Sequence, residues 1–212
     1  MNINELRKTN IDELTFSVVD TETTGMSHIF NRVIDIGIVK VKNGKIIDKY
    51  ETLIDPEQNL DYWITKYTRL RDADLVGKPK FIDIGHEILD FIKESVFVAH
   101  NVYFDYLFLK REMKRIGNDF TFPKLCTVQL SKKLLPDLEQ ANLDFLSEYF
   151  GIKIINRHRA LPDAEATAEI LVNFIEKAKV EYKAKTYFDL EKLQWIKTGS
   201  RERTDWPNLF DI

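Results

Sequence analysis

The chain of 212 residues is long enough for one domain with a substantial core and an extension, and too short for two full domains. Its 44% hydrophobic and 31% charged residues match a globular composition and exclude a disordered chain, and no apolar run reaches membrane-spanning length. A net charge of −3 argues against a broad basic surface for gripping duplex nucleic acid.

The opening residues, Met1 to Lys8, lack the apolar centre of a signal peptide, so a cytoplasmic location is expected. Phe16 to Asp20 is a short β-rich run. The apolar run from Val33 to Val41 and the one from Ile46 to Ile54 flank Asn43-Gly44, a strong hairpin signal, so three leading antiparallel strands are predicted. Beyond Asp55-Pro56 the chain reads as irregular to Gly77-Lys78-Pro79.

Phe81, Ile84, Ile88, Phe91 and Ile92 then recur at helical spacing. Ser95 to Ala99 is short and uniformly apolar, as a buried strand would be. Asn101 is placed to cap a helix through Ile116 that Gly117 stops, and Pro123 to Val128 suggests a fifth strand. The lone cysteine, Cys126, lies in that strand; it excludes an internal disulfide and reads as a buried thiol. Short helical pieces are expected around Leu130 to Leu135, a helix from Leu143 to Phe150, and a long helix with Pro162 just inside its start, running toward Lys179. Strands first, then alternating helices and strands, indicate an α/β sheet with helices packed on it. Past residue 180 mixed charges suggest a solvated helix, giving a domain over 1–180 and a tail over 181–212.

Four carboxylates and one histidine carry the chemical signal. Asp20 and Glu22 stand one residue apart on a strand, so both point to one side. Two acids there repel; either one stays protonated, or a hard divalent cation lies between them, or the pair is a solvated strand end entering the Thr/Gly turn that follows. Asp105 shares a helix face with Phe108 and Leu109, apolar company that favours a metal site over simple service to the helix dipole. Asp163 falls in the first turn of the long helix, and His158 lies just ahead of it. Beside such carboxylates an imidazole is a candidate general base. His28, His86 and His100 read as a loop residue, an exposed helix position and a packing residue.

Together these segments resemble the three motifs, in order, of the DEDD superfamily of 3′-to-5′ exonucleases, in its DnaQ-like histidine branch (DEDDh). Asp20-Thr21-Glu22 is similar to the first motif, His100-Asn101 with Phe104-Asp105 to the second, and His158 through Asp163-Ala164 to the third. His158 stands five residues before the last aspartate, as the histidine branch requires, and Arg159 occupies the position where the sister branch has tyrosine.

The resemblance implies an α/β, ribonuclease-H-like mixed sheet of three antiparallel and two parallel strands with flanking helices. It implies two divalent ions, Mg²⁺ or Mn²⁺, held by Asp20, Glu22, Asp105 and Asp163, with Asp20 bridging the ions and His158 as general base. The substrate would be a single-stranded 3′ end, DNA in preference to RNA, shortened to nucleoside 5′-monophosphates during proofreading or repair. Other readings are an RNA-directed exoribonuclease and a noncatalytic binding module. Contacts to the terminal nucleotides are assigned to Thr23, Thr24, Gly25, Ile64, Thr65 and Phe104. A DNA polymerase is a possible partner, and Trp206 to Phe210 resembles the short Leu-Phe peptides that bind sliding clamps.

Overall fold

A short helix α1 (Ile3–Leu6) leads into the sheet of this computed structural model, which describes residues 2–195. Strands β1 (Thr15–Thr23), β2 (Val33–Lys42) and β3 (Lys45–Leu53) form an antiparallel meander. Asn43 and Gly44 turn β2 into β3 with φ of 49° and 69°, the paired left-handed residues that a tight hairpin requires. Two short helices follow, α2 (Tyr62–Thr68) and α3 (Asp72–Leu75), then α4 (Phe81–Ile92). Strand β4 (Val96–Ala99) pairs parallel with β1, helix α5 (Val102–Arg115) leaves its end, and β5 (Lys124–Cys126) pairs parallel with β4. The sheet order is β3-β2-β1-β4-β5. Helices α6 (Thr127–Leu134), α7 (Leu143–Phe150), α8 (Ala160–Tyr182) and α9 (Tyr187–Gln194) complete the described chain.

Strands β1 and β2 are buried on both faces, because helices cover the sheet on each side. On one face Phe16, Val18, Val39 and Val98 meet Leu171 and Phe174 of α8 and Leu130 and Leu146 beside it. On the other, Val19, Ile38 and Phe97 meet Ile84 and Ile88 of α4 and Leu109 and Met113 of α5. Neighbouring Val18 and Val19 thus enter opposite cores, as the two-residue period demands. The same alternation turns Asp20 and Glu22 toward the α8 side and Thr21 toward the α5 side.

Three stretches differ from the sequence expectation, and the fifth strand, expected over Pro123 to Val128, stops at Cys126 because α6 starts at Thr127. The first is β1, which runs on through Thr23, so Asp20 and Glu22 lie within the strand and not at its end; pairing with Gly37 and Asp35 of β2 carries it that far. The stretch expected to be irregular contains α2 and α3, whose buried Thr68 and Leu75 are too sparse to make a periodic pattern. The helix expected to be solvated beyond residue 180 is anchored. Tyr187, Leu190 and Leu193 of α9 enter the core, and Arg7 holds Glu191 through two hydrogen bonds of 2.8 and 3.1 Å. The Gln194 side chain also accepts from the Cys126 N–H and donates to the Lys124 carbonyl, each at 3.0 Å, so it closes the exposed edge of β5 as another strand would. No helix among the described residues is long and apolar enough to cross a membrane. The clamp-like segment at Trp206 to Phe210 lies outside the described residues.

Candidate active site

The site forms where the C-terminal end of β1 meets the starts of α5 and α8, the position at which open α/β sheets present ligand-binding groups. Asp105 reaches it from α5. Its Oδ1 accepts from the Thr21 N–H at 2.9 Å and from the Thr21 hydroxyl at 2.8 Å, which pins the carboxylate to the strand that carries Asp20 and Glu22.

Asp163 reaches the same place because α8 begins directly on the sheet. Gly37 of β2 has no side chain, and a β-carbon there would overlap the backbone of Ala160 and Leu161. Asp35, fully buried two residues before it, accepts from Arg159 Nε at 2.7 Å and from the Ala160 N–H at 3.3 Å. Strand and helix start are thereby locked together. One turn into α8, Asp163 Oδ2 accepts from the His158 N–H at 3.2 Å and pairs with the Arg157 guanidinium, whose Nε also donates to Asp144 at 2.6 Å.

His158 occupies a left-handed backbone conformation, φ 66°, as does Asn156 at 62°. A non-glycine residue there carries strain of the kind that collects at functional sites. Its ring lies against Tyr67 of α2, centroids 3.8 Å apart. The ligating atoms of Glu22, His158 and Asp163 all fall within 4.8 Å of one another, a spacing suited to one metal ion. Asp163 Oδ1 is buried without a hydrogen-bond partner. Asp20 and Asp105 stand beside this trio and interact electrostatically with each other.

The carboxylates hold their protons unusually tightly. Burial pushes Glu22 up to about 8, and the neighbouring Asp163 and Asp35 add to the effect. Burial raises Asp105 to about 7 against the opposing Thr21 hydrogen bonds, and raises Asp163 to about 6 against the pull of Arg157. Asp20 is pushed well above the ordinary carboxylate range by burial and then by Asp105, Glu22 and Asp163. His158 moves down, through partial burial and the positive charge of Arg157, so it is neutral near pH 7. Such an arrangement does two things: it resists ionisation when no cation is present, and it supplies several hard oxygen ligands to a cation that displaces the protons.

The remaining residues singled out from sequence fall nearby in different settings. Thr23 donates its hydroxyl to the Gly25 carbonyl at 2.7 Å. The Thr24 N–H, expected to face a terminal nucleotide, instead donates to the Arg32 carbonyl at 2.9 Å, because the loop between β1 and β2 closes on itself there. Gly25 packs against the Asn31 side chain, which leaves no room for a β-carbon. Ile64 turns inward against the small cluster of Ile34, Leu70 and Leu75, Thr65 is half-buried beside it, and Phe104 leans on Phe108 at 4.8 Å between centroids. His100 is half-buried and pushed down to about 4 by desolvation, with Nδ1 3.0 Å from the Thr127 hydroxyl. His86 is exposed on α4, and His28 meets the Phe108 ring edge-on at 6.3 Å.

Sequence reasoning missed Arg157, Asp35, Gly37 and Tyr67. Asp35 did carry a signal, an acid inside the apolar run Val33-Ile34-Asp35-Ile36, and Gly37 another, a glycine inside a strand. Arg157 and Tyr67 carried none, since their roles depend on contacts across the fold.

Fold and site together define a nuclease-like protein: a mixed five-stranded sheet with helices on both faces and acids gathered at the end of its first strand. Solved structures share that ribonuclease-H-like architecture. Exonuclease X in complex with 5′ overhanging duplex DNA superposes with a TM-score of 0.67 at 22% identity, over 86% of this chain and 99% of that one. Escherichia coli exonuclease I in complex with a dT13 oligonucleotide gives 0.71 at 15% identity, over 81% of this chain and 43% of that one.

A family model described as Exonuclease (RNase_T) matches residues 17–171, and the chain belongs to that exonuclease family. DNA polymerase III subunit epsilon of Aquifex aeolicus is 35% identical over 186 residues, covering 87% of this chain and 92% of that protein. The PolC-type DNA polymerase III of Caldanaerobacter subterraneus is 41% identical over 162 residues, 76% of this chain but only 12% of that much longer polymerase. The chain thus spans only about an eighth of the PolC-type relative and nearly all of the epsilon subunit.

Proposed function

We propose that the protein is a metal-dependent 3′-to-5′ exonuclease that removes single nucleotides from DNA ends in association with a replicative polymerase. The observation that carries this reading is the convergence of Glu22, His158 and Asp163 within 4.8 Å, with Asp20 and Asp105 alongside. The polymerase association rests on the names of the epsilon and PolC-type relatives.

The donor set fits two Mg²⁺ or Mn²⁺ ions. All four carboxylates offer hard oxygen, burial raises their proton affinities, with repulsion from neighbouring acids adding to it at Asp20 and Glu22, and Asp163 Oδ1 is unpartnered. Asp20, Glu22 and Asp163 would hold one ion, and Asp20 with Asp105 the other. Bound there, divalent ions neutralise charge on the phosphodiester and make water a better nucleophile.

The chain's own residues account for the rest. Neutral His158 accepts the proton of the attacking water at its imidazole nitrogen. As the water oxygen bonds to phosphorus, the bond from phosphorus to the 3′ oxygen of the preceding nucleotide breaks, and the terminal nucleotide leaves as a 5′-monophosphate. Thr21 keeps Asp105 in place, and Arg157 together with the His158 amide does the same for Asp163.

The test uses 5′-end-labelled single-stranded DNA, duplex DNA with a 3′ mismatch, and RNA, each with Mg²⁺ and with EDTA. A ladder shortening from the 3′ end of DNA, lost in EDTA and in Asp20→Ala, is expected. His158→Ala should lower single-turnover rates by ~10²-fold or more with folding intact. Activity in excess EDTA removes the metal mechanism, equal rates in His158→Ala remove the general base, and a ladder on RNA alone reassigns the substrate.

A further inference from the structure

Helices α7 and α8 start together beside the active site and run in the same direction. At their first turns Asp144 and Asp163 share the Arg157 guanidinium, and at the far end of α7 the Phe150 ring meets Phe174 edge-on, centroids 5.6 Å apart. Ser147 and Thr167 lie between these two contacts. Ser147 comes one turn before Phe150 on the same face of α7, and Thr167 one turn beyond Asp163 on the same face of α8. Apolar side chains surround this layer, among them Leu146, Ile170 and Phe174.

Both hydroxyls are buried, Ser147 being 3% and Thr167 1% exposed, and among the described residues neither oxygen has a hydrogen-bond partner. Asp163 Oδ1, at the head of the same interface, is in the same condition. Buried polar atoms are as a rule hydrogen-bonded, so three orphans along one helix interface call for a shared partner.

We propose that Ser147, Thr167 and Asp163 Oδ1 bind one buried water between α7 and α8, and that Thr167 and Ser147 act through it as positioning residues for the Asp163 carboxylate. The proposal rests on the reading of Asp163 as a metal ligand and adds what holds the oxygen that Arg157 and the His158 amide leave free.

Spacing is the first argument. Residues four apart on a helix have β-carbons about 5–6 Å apart, and no direct bond joins Asp163 to Thr167, an interval that one water spans. Proton counting is the second. The water donates one hydrogen to Asp163 Oδ1 and the other to one hydroxyl oxygen, and it accepts from the second hydroxyl. Three bonds result, the usual number for a buried water. A carboxylate oxygen has two lone pairs, so Oδ1 can accept from the water and still face a cation. Because Oδ2 is already held by Arg157 and the His158 N–H, fixing Oδ1 removes the remaining rotation of the carboxylate. Partners that orient a ligand in this way set metal affinity.

The test compares Thr167→Val, which keeps nearly the same shape without the hydroxyl, with Thr167→Ser and Ser147→Ala. Thermal melts are recorded in EDTA, and Mn²⁺ affinity is measured by calorimetry on the full chain without DNA. Thr167→Val should melt ~2–4 °C below the parent and bind Mn²⁺ ~10-fold more weakly, whereas Thr167→Ser should bind Mn²⁺ as the parent does. Since either change removes the shared water, the Thr167→Val/Ser147→Ala double variant should lose less Mn²⁺ affinity than the two single losses combined. A Thr167→Val protein that melts at or above the parent temperature overturns the water site, because deleting an unpartnered buried hydroxyl relieves a cost. Lower melting with unchanged Mn²⁺ affinity overturns the positioning role, as does equal weakening in Thr167→Ser. A parent that binds no Mn²⁺ while Thr167→Val still melts lower would overturn the metal reading and leave the water site standing.

Discussion

Gly37→Ala tests how the site is assembled, because it adds one carbon without changing any charged group. The new β-carbon would fall on the carbonyl carbon of Ala160 and the backbone of Leu161, which are main-chain atoms and cannot rotate away as a side chain would. Restoring ordinary carbon–carbon separation requires the start of α8 to move by roughly 1 Å. Two consequences follow. Overpacking of this kind costs ~1–3 kcal/mol, and the Asp35 hydrogen bonds to Arg159 and Ala160 resist the movement, which places the expected loss in the upper half of that range. Asp163 sits one turn further along the displaced helix. A misplacement of about 1 Å in a reacting group costs on the order of 10²-fold in rate, so a comparable loss of activity should accompany the loss of stability. Urea unfolding in EDTA measures the first quantity and single-turnover DNA cleavage the second. A Gly37→Ala protein within about 0.5 kcal/mol of the parent and equally active would show that the contact of α8 with β2 does not position Asp163.

Raised carboxylate pKa values also make stability depend on pH. In EDTA the folded protein binds more protons than the unfolded chain between the ordinary carboxylate range near ~4 and the value of about 8 at Glu22, so this contribution is full at the acid end and is lost as pH rises. Melting temperatures in EDTA should therefore fall from about pH 5 to about pH 8, and Mg²⁺ should flatten or reverse the slope; a rising slope in EDTA would refute the raised values. Arg159→Met strands the buried Asp35 carboxylate and should cost about 2–3 kcal/mol by urea unfolding, less than a fully buried pair because Arg159 is 32% exposed, with part of the loss recovered in Arg159→Met/Asp35→Asn. Lys183→Gly relieves a left-handed residue, φ 55°, that ends α8, and should raise stability by ~0.5–1 kcal/mol with activity unaffected.

Much of the fold was legible because its signals are local. The Asn43-Gly44 hairpin, the Gly151 helix stop and the apolar run at Val96 to Ala99 each need only a few neighbouring residues to be read, and each element appears where those residues place it. The motif acids and His158 were legible for another reason: their order and spacing resemble a family pattern. Helix α9 was not, because Tyr187, Leu190 and Leu193 are separated by acids and lysines that satisfy a solvated reading equally well until β5 is known to need a partner along its edge.

What escaped the sequence is the support beneath the motifs, and its components share one property. Arg157, Asp35, Gly37 and Tyr67 act on partners brought close only by the fold: Asp144 and Asp163, Arg159, the α8 backbone, and His158. Electrostatics explains why two of them are charged. Glu22, Asp20 and Asp163 crowd one end of β1; Glu22 and Asp163 add to the proton affinity that burial raises at Asp20, and Asp163 does the same at Glu22. Arg157 is the cation that opposes this at Asp163, while the same charge lowers the His158 pKa and keeps its imidazole able to accept a proton. One guanidinium thus moves an acid and a base in the same direction, toward the unprotonated forms that metal binding and proton abstraction both need. Replacing Arg157 with Met should therefore raise the proton affinity of both groups and move the acid limb of the rate profile to higher pH. An acid limb that stays in place in the Arg157→Met protein would show that this guanidinium does not set the protonation of Asp163 and His158.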